Sequence, residues 1–175
     1  PNSRRYRSIA CIFVHIMHNN YAKVQVRIII RAMYRTLARQ IIEHNIYLTL
    51  ATTDGKKAWA APVYYCYGND DNFYFSSQSH SQHIQHLQYS RRVAFAIFDS
   101  HAIEGQGNGI QGVGQVTLLM GRQLNKAIHH YHTSFFPATP DSFTRGPYQL
   151  YRLKPTKLFV LDPQEKHIDK RVLVT

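Results

Sequence analysis

Between Met33 and His44 the apolar residues Leu37, Ala38, Ile41 and Ile42 fall at helical spacing, which predicts a short amphipathic helix. The period then changes. Tyr47–Thr52 and Ala58–Tyr67 are rich in β-branched, aromatic and small residues, and "TDGKK" between them centres an Asp-Gly turn, so the two runs predict a hairpin. "GNDDN" supplies a second turn ahead of Phe73–Ser77, which extends the hairpin into an antiparallel meander.

Ser81 stands where an N-cap is needed for a helix running to about Tyr89, because its hydroxyl can accept a free N–H of the first turn. Val93–Phe98 reads as a strand. "EGQGNG" is a flexible Gly-rich connection into Ile110–Leu119, whose alternation is partial. Lys126–Phe135 predicts a helix, residues 137–147 an irregular loop, and "YQLYRLKPTKLFVLD" a long final strand with a break near Pro155. Six strands and three helices result, joined mainly by hairpins. The expected fold is mainly β, an antiparallel barrel with helices added at its corners; a doubly wound parallel sheet needs a regular strand and helix alternation that is absent.

At 175 residues the chain suits one domain with a real core. Its net charge of +11 is unevenly spread. Residues 1–32 carry Arg4, Arg5, Arg7, Lys23, Arg27 and Arg31 with no acid, which leaves residues 33–175 with a surplus of only five. The first segment also lacks a capped helix or clean period. It is therefore set apart as a basic extension, read as a targeting peptide, a nucleic-acid arm or non-native upstream sequence, and the functional domain is expected at 33–175. A nucleic-acid partner is not favoured, because the excess charge lies largely in that extension.

No apolar run approaches the ~20 residues that cross a bilayer, so no membrane partner is expected. Cys11 and Cys66 form neither a CxxC pair nor a secreted-type framework, which suits a reducing, cytoplasmic setting. The acids Asp54, Asp70, Asp71 and Asp141 sit in turn signals and suggest turns more than acid–base catalysis. His80, His83 and His86 recur every three residues, and His129, His130 and His132 form a second group, yet no Cys or acid accompanies them at a zinc-like offset, so no metal is expected. Nucleotide-loop and nucleophile-elbow motifs are missing; "GQGNGIQGVG" precedes a strand, which points to a mobile hairpin or a close backbone approach. Cys66, within a predicted strand, reads as core.

The stretch "SSQSHSQHIQHL", Ser76–Leu87, is left with two readings. It can be a phosphate cradle built from a helix start and serine hydroxyls, or a polar strand end followed by an N-cap.

Four pieces in order, "IYLTLATTDGKKAWAAPVYY", "NFYFSSQSHSQHIQHLQYSRRVAFAIF", "GIQGVGQV" and "YRLKPTKLFVLD", resemble the pyridoxamine 5′-phosphate oxidase-like family of FMN-binding split barrels over about Met33 to Asp162. The resemblance implies a six-stranded antiparallel split barrel, a homodimer with FMN in a groove at its interface, and a flavin-dependent oxidoreductase acting on a small molecule. It implies that the phosphate meets the strand Ala61, Pro62, Val63, Tyr64 and Cys66, the strand end Ser76 and Ser77, and the helix start Ser81, Gln82 and His83, with Gln111 near the flavin ring. It thereby favours the cradle. Two departures narrow it. Ala61, Cys66, Gln82 and His83 stand where the oxidase has basic residues, which implies modest FMN affinity, and the oxidase's C-terminal Trp and paired Arg around a His are missing, so pyridoxamine phosphate is not the expected substrate. The alternative is a non-catalytic barrel for flavin, deazaflavin or haem, with His83 or His86 as an iron ligand.

Overall fold

The computed structural model describes residues 20–103, 108–134, 136–161 and 171–174, with side chains from residue 24 onward. The chain divides into two units, the first ending at Thr36 and the second beginning at Leu37. The basic extension before residue 20 and most of the "EGQGNG" connection lie outside the described residues.

Helix α1 spans Asn20–His44, starting well before the expected Met33. Its first half was not expected because basic residues interrupt the apolar run, although Val26, Ile29, Ile30 and Met33 keep the spacing of one helix face. In the second unit Ala38, Ile41 and Ile42 are buried, as their spacing predicts.

The strands are β1 (Tyr47–Thr53), β2 (Ala58–Tyr64), β3 (Cys66–Tyr67), β4 (Phe73–Gln78), β5 (Arg92–Phe98), β6 (Gly109–Leu118), β7 (Tyr148–Leu161) and β8 (Arg171–Leu173). They form one antiparallel sheet in the order β2-β1-β5-β6-β7-β4-β3, with β8 added on β7. The count is eight against six expected, for two reasons. Tyr65 interrupts the run 58–67, dividing one predicted strand into β2 and β3, and β8 was not predicted. The divided run closes the sheet: its first seven residues pair with β1 and its last two with β4, so the two ends of the sheet meet through one extended segment. Counted around that ring there are six strands, as in a small barrel.

Alternate residues fill the interior. Leu48 and Leu50 of β1 lie opposite Val63 and Ala61 of β2, and Val93, Phe95, Ile97, Ile110 and Val116 continue the layer. Phe73 meets Phe95 at 5.3 Å between centroids. The break expected near Pro155 is a bulge instead. Val113 pairs with Lys157 and Gly114 with Pro155, so one extra residue sits in a strand that is otherwise continuous for 14 residues. The extra residue shifts the parity of inward positions from Tyr151 and Leu153 to Leu158 and Val160, and both halves of β7 face the core.

Three short helical segments differ from expectation or add to it. Helix α2 is Gln82–His86, and Ser81 precedes it without a side-chain cap. Helix α3 is Gly121–Ala127, followed by a 3-10 turn at Ile128–His130, so the helix expected at 126–135 begins five residues earlier. Leu124, Ala127 and Ile128 give the apolar spacing that decides this, and Leu124 and Ala127 are buried. The loop expected at 137–147 contains α4, Pro140–Thr144, started by a capping box between Thr139 and Ser142 with Pro140 in the first turn. With Tyr74, Leu119, Tyr131 and Leu150, Leu124, Ala127 and Phe143 form a second core.

The Gly-rich segment 109–114 shows the close approach that its composition suggested. A Cβ on Gly112 would collide with the ring of Phe95, and one on Gly114 would stand 2.5 Å from the Lys154 carbonyl. Gly112→Ala is therefore expected to destabilise the barrel by about 1–3 kcal/mol through overpacking. A urea midpoint unchanged from the parent would show that Phe95 yields without cost.

Candidate functional site

Successive residues of a strand point to opposite faces, and this divides the expected cradle. Ser77 faces the same side as the buried Phe75, while Ser76 faces the second core and meets Tyr131, Oγ to Oη 2.8 Å. The two serines thus belong to separate groups.

The first group is formed by Ser77, Ser81, Gln82 and His83, with Thr52 and His86 joining from β1 and α2. Ser77 Oγ lies 2.8 Å from Ser81 Oγ and 2.8 Å from His83 Nε2. Ser81 donates its single hydroxyl proton to the Gln78 carbonyl instead of capping α2. Proton counting orders the rest: Ser77 donates to Ser81, and His83 donates from Nε2 to Ser77. Beside them the Gln82 amide donates to His86 Nε2 at 2.8 Å, which leaves the His86 proton on Nδ1, 3.2 Å from Thr52 Oγ1. Thr52, Ser77, His83 and His86 are buried. Burial, and then the neighbouring His86, hold His83 below the usual imidazole pKa.

The second group is Tyr64, Cys66 and Ser76 around the segment 131–132. Cys66 Sγ donates to the His132 carbonyl at 3.0 Å and accepts from its N–H at 3.1 Å, and Tyr64 Oη donates to the same carbonyl at 3.1 Å. The rings of Tyr64 and Tyr131 meet edge to face at 6.4 Å. Cys66 is half-buried, a staple to this loop more than core, and burial pushes its thiol up, away from the thiolate.

The remaining expected residues lie on β2 and β6. Ala61 and Val63 are buried with the barrel interior, so their side chains are not available to a ligand outside it. Pro62 and Gln111 share the outer face. The registers set Pro62 beside Thr49, Thr49 beside Ala96, Ala96 beside Gln111 and Gln111 beside Phe159, which makes one row across five strands. Its first three members are small, so the row is a low shelf ending in an amide. Arg171 of β8 stands over the Phe159 ring, 5.8 Å to its centroid, and donates to Gln111 Oε1 at 3.4 Å.

Sequence reasoning missed Thr52, Tyr131 and Arg171, and named His86 only as an alternative iron ligand. Their only signal was polarity on otherwise apolar or loop segments, since each meets its partner across tens of residues. The acids behave as turn formers: Asp54 Oδ1 accepts the Lys56 and Lys57 N–H groups, which, with Lys57 leading, lower its pKa. Asp70 accepts from Asn72 and Tyr74.

The fold and these groups define a class, the split barrel. A family model described as pyridoxamine 5′-phosphate oxidase matches residues 35–162, and the chain belongs to that family. The UPF0306 protein plu4501 of Photorhabdus laumondii is 32% identical over 104 residues, covering 59% of this chain and 69% of that protein. Among solved structures, a haem-binding protein from Mycobacterium smegmatis superposes with a TM-score of 0.62 at 17% identity, over 79% of this chain and 56% of that one. An FAD-binding protein from the same organism gives 0.55 at 16%, over 70% and 90%, and one from Mesorhizobium loti gives 0.56 at 15%, over 71% and 89%. At such identities the likeness is one of fold.

The lowered pKa of His83 has a consequence for stability. The native state keeps His83 neutral while the unfolded chain takes up a proton below the ordinary value of 6.5, so the unfolded state binds more protons and stability falls as pH drops through and below that value. His83→Gln is expected to make the decline between neutral and mildly acidic pH shallower. Chemical denaturation across that range measures it; parallel profiles for parent and variant would assign the pH dependence elsewhere.

Proposed function

We propose that this protein binds FMN as a homodimer and carries out a redox reaction on a small molecule, in a reducing compartment such as the cytoplasm. The observation that carries the reading is the hydrogen-bonded chain from His83 through Ser77 to Ser81, which gathers three phosphate-compatible groups at the end of β4. Family membership and the flavin-binding proteins of the same fold support it.

The fit of the group is partial, and the residues say how. Ser77 spends its proton on Ser81 and Ser81 on the Gln78 carbonyl, so they serve a phosphate only by rotating outward. His83, held below the usual imidazole pKa, would then donate its Nε2–H to the charged phosphate beside the hydroxyls and the Gln82 amide. The shelf Pro62, Thr49 and Ala96 offers low relief for a flat ring, with the Gln111 amide at its margin and Arg171 held against it. When bound, flavin supplies the electron transfer, and the chain's part is to hold and orient it. A second copy would cover the exposed parts of the shelf and exclude water from it.

Haem is the weaker reading. Both ring nitrogens of His86 are engaged, so its ligand role requires breaking buried hydrogen bonds, and His83 could ligate through Nε2 only by giving up Ser77.

Incubation with FMN followed by gel filtration tests the flavin reading. Retained flavin absorbance is expected, and Ser77→Ala with Ser81→Ala should weaken retention roughly tenfold. A folded, colourless parent protein would overturn it. The dimer is tested separately by sedimentation: the parent should run as two copies and Ala96→Arg as one. A monomeric parent would remove the shared groove from the reading.

A further inference from the structure

The part of α1 in the first unit carries a pattern that neither the barrel nor the flavin reading uses. Val26, Ile29, Ile30 and Met33 follow the i, i+3, i+4, i+7 spacing of one helix face. Ile29 and Met33 expose more than half of their surface, and Ile30 is exposed as well. Arg27, Arg31 and Arg35 recur every fourth residue, which at 3.6 residues per turn makes a stripe that drifts by about 40° per step. Ile29 and Met33 each lie about 160° round the helix from Arg31. Val24 and Ile28, also exposed, flank the arginines. No acid occurs in the sequence before Glu43.

We infer that this helix lies on an anionic lipid surface, with Val26, Ile29, Ile30 and Met33 entering the boundary between headgroups and acyl chains and Arg27 and Arg31 reaching the lipid phosphates. Charge complementarity selects this occupant. Partly buried at the interface, the apolar face and the long arginine side chains are satisfied together, because arginine places its stem along apolar surface and its guanidinium among headgroups. No helix among the described residues is long and apolar enough to cross a membrane. The described part of α1 is therefore taken to lie on the surface and not to span it. The anionic lipids of a cytoplasmic leaflet would supply the partner charge.

Co-sedimentation of the full chain with vesicles tests this. Binding is expected to vesicles in which roughly one lipid in three is phosphatidylserine and the rest phosphatidylcholine, and not to pure phosphatidylcholine, with binding weakened by added salt. Arg27→Gln with Arg31→Gln should lower partitioning roughly 30-fold, two charges at the usual strength of attraction to such a surface. Ile29→Gln with Met33→Gln should lower it as well while leaving helix content by circular dichroism unchanged. Absence of the parent chain from the anionic vesicle pellet overturns the inference, as does binding that neither double variant changes. Two results would reassign the face while overturning it: retention of a single-stranded oligonucleotide without vesicle binding gives the stripe to nucleic acid, and self-association lost in Ile29→Gln/Met33→Gln without vesicle binding gives the apolar face to a second copy.

Discussion

Closure of the sheet through residues 58–67 is the constraint on which the rest of this structure depends. One extended run must satisfy β1 along its first seven residues and β4 along its last two. A sheet tied at both ends has one interior, and every strand must commit alternate residues to it. Leu50, Phe95, Ile110 and Leu153 are buried for that reason. The bulge at Pro155 follows from the same demand: β7 is too long to keep one parity against β6, and an extra residue lets Tyr151, Leu153, Leu158 and Val160 all face inward.

The constraint also shapes the polar groups. Because β4 must send Phe73, Phe75 and Ser77 to one side, Ser76 goes to the other, under α3 and α4. Hydroxyls adjacent in sequence therefore enter different networks, one with His83 and one with Tyr131. Each network is internally satisfied, as buried polar groups must be. A phosphate at Ser77 and Ser81 would compete with these existing hydrogen bonds.

The outer shelf has a different origin. The central outward positions of β1, β2 and β5, Thr49, Ala51, Ala60, Pro62, Ala94 and Ala96, are small and aligned by the registers, while Tyr47, Tyr64, Arg92 and Phe98 stand at the strand ends. A small residue on an exposed strand contributes little to the barrel's stability. Six together ask for an explanation outside the barrel, and the flat ligand proposed above is one. The exposed face of α1, just before β1 in the chain, poses the same kind of question, and there the proposed answer is read from charge.

The barrel itself was legible in the sequence because its causes are local. Asp-Gly in "TDGKK" makes the first hairpin, with Asp54 accepting two N–H groups in the turn, and the β-branched and aromatic runs mark the strands to within a residue or two. Capping chemistry was legible in principle at Thr139 and Ser142 and was passed over because only a five-residue helix follows. What the tertiary structure alone decided is which face each polar residue serves and whom it meets. Thr52 reaches His86 across 34 residues, Ser76 reaches Tyr131 across 55 and Arg171 reaches Gln111 across 60, and no local pattern encodes such meetings. Strand type follows from neighbours in the chain. Partner and parity follow from closing the sheet, because only then does an inside exist.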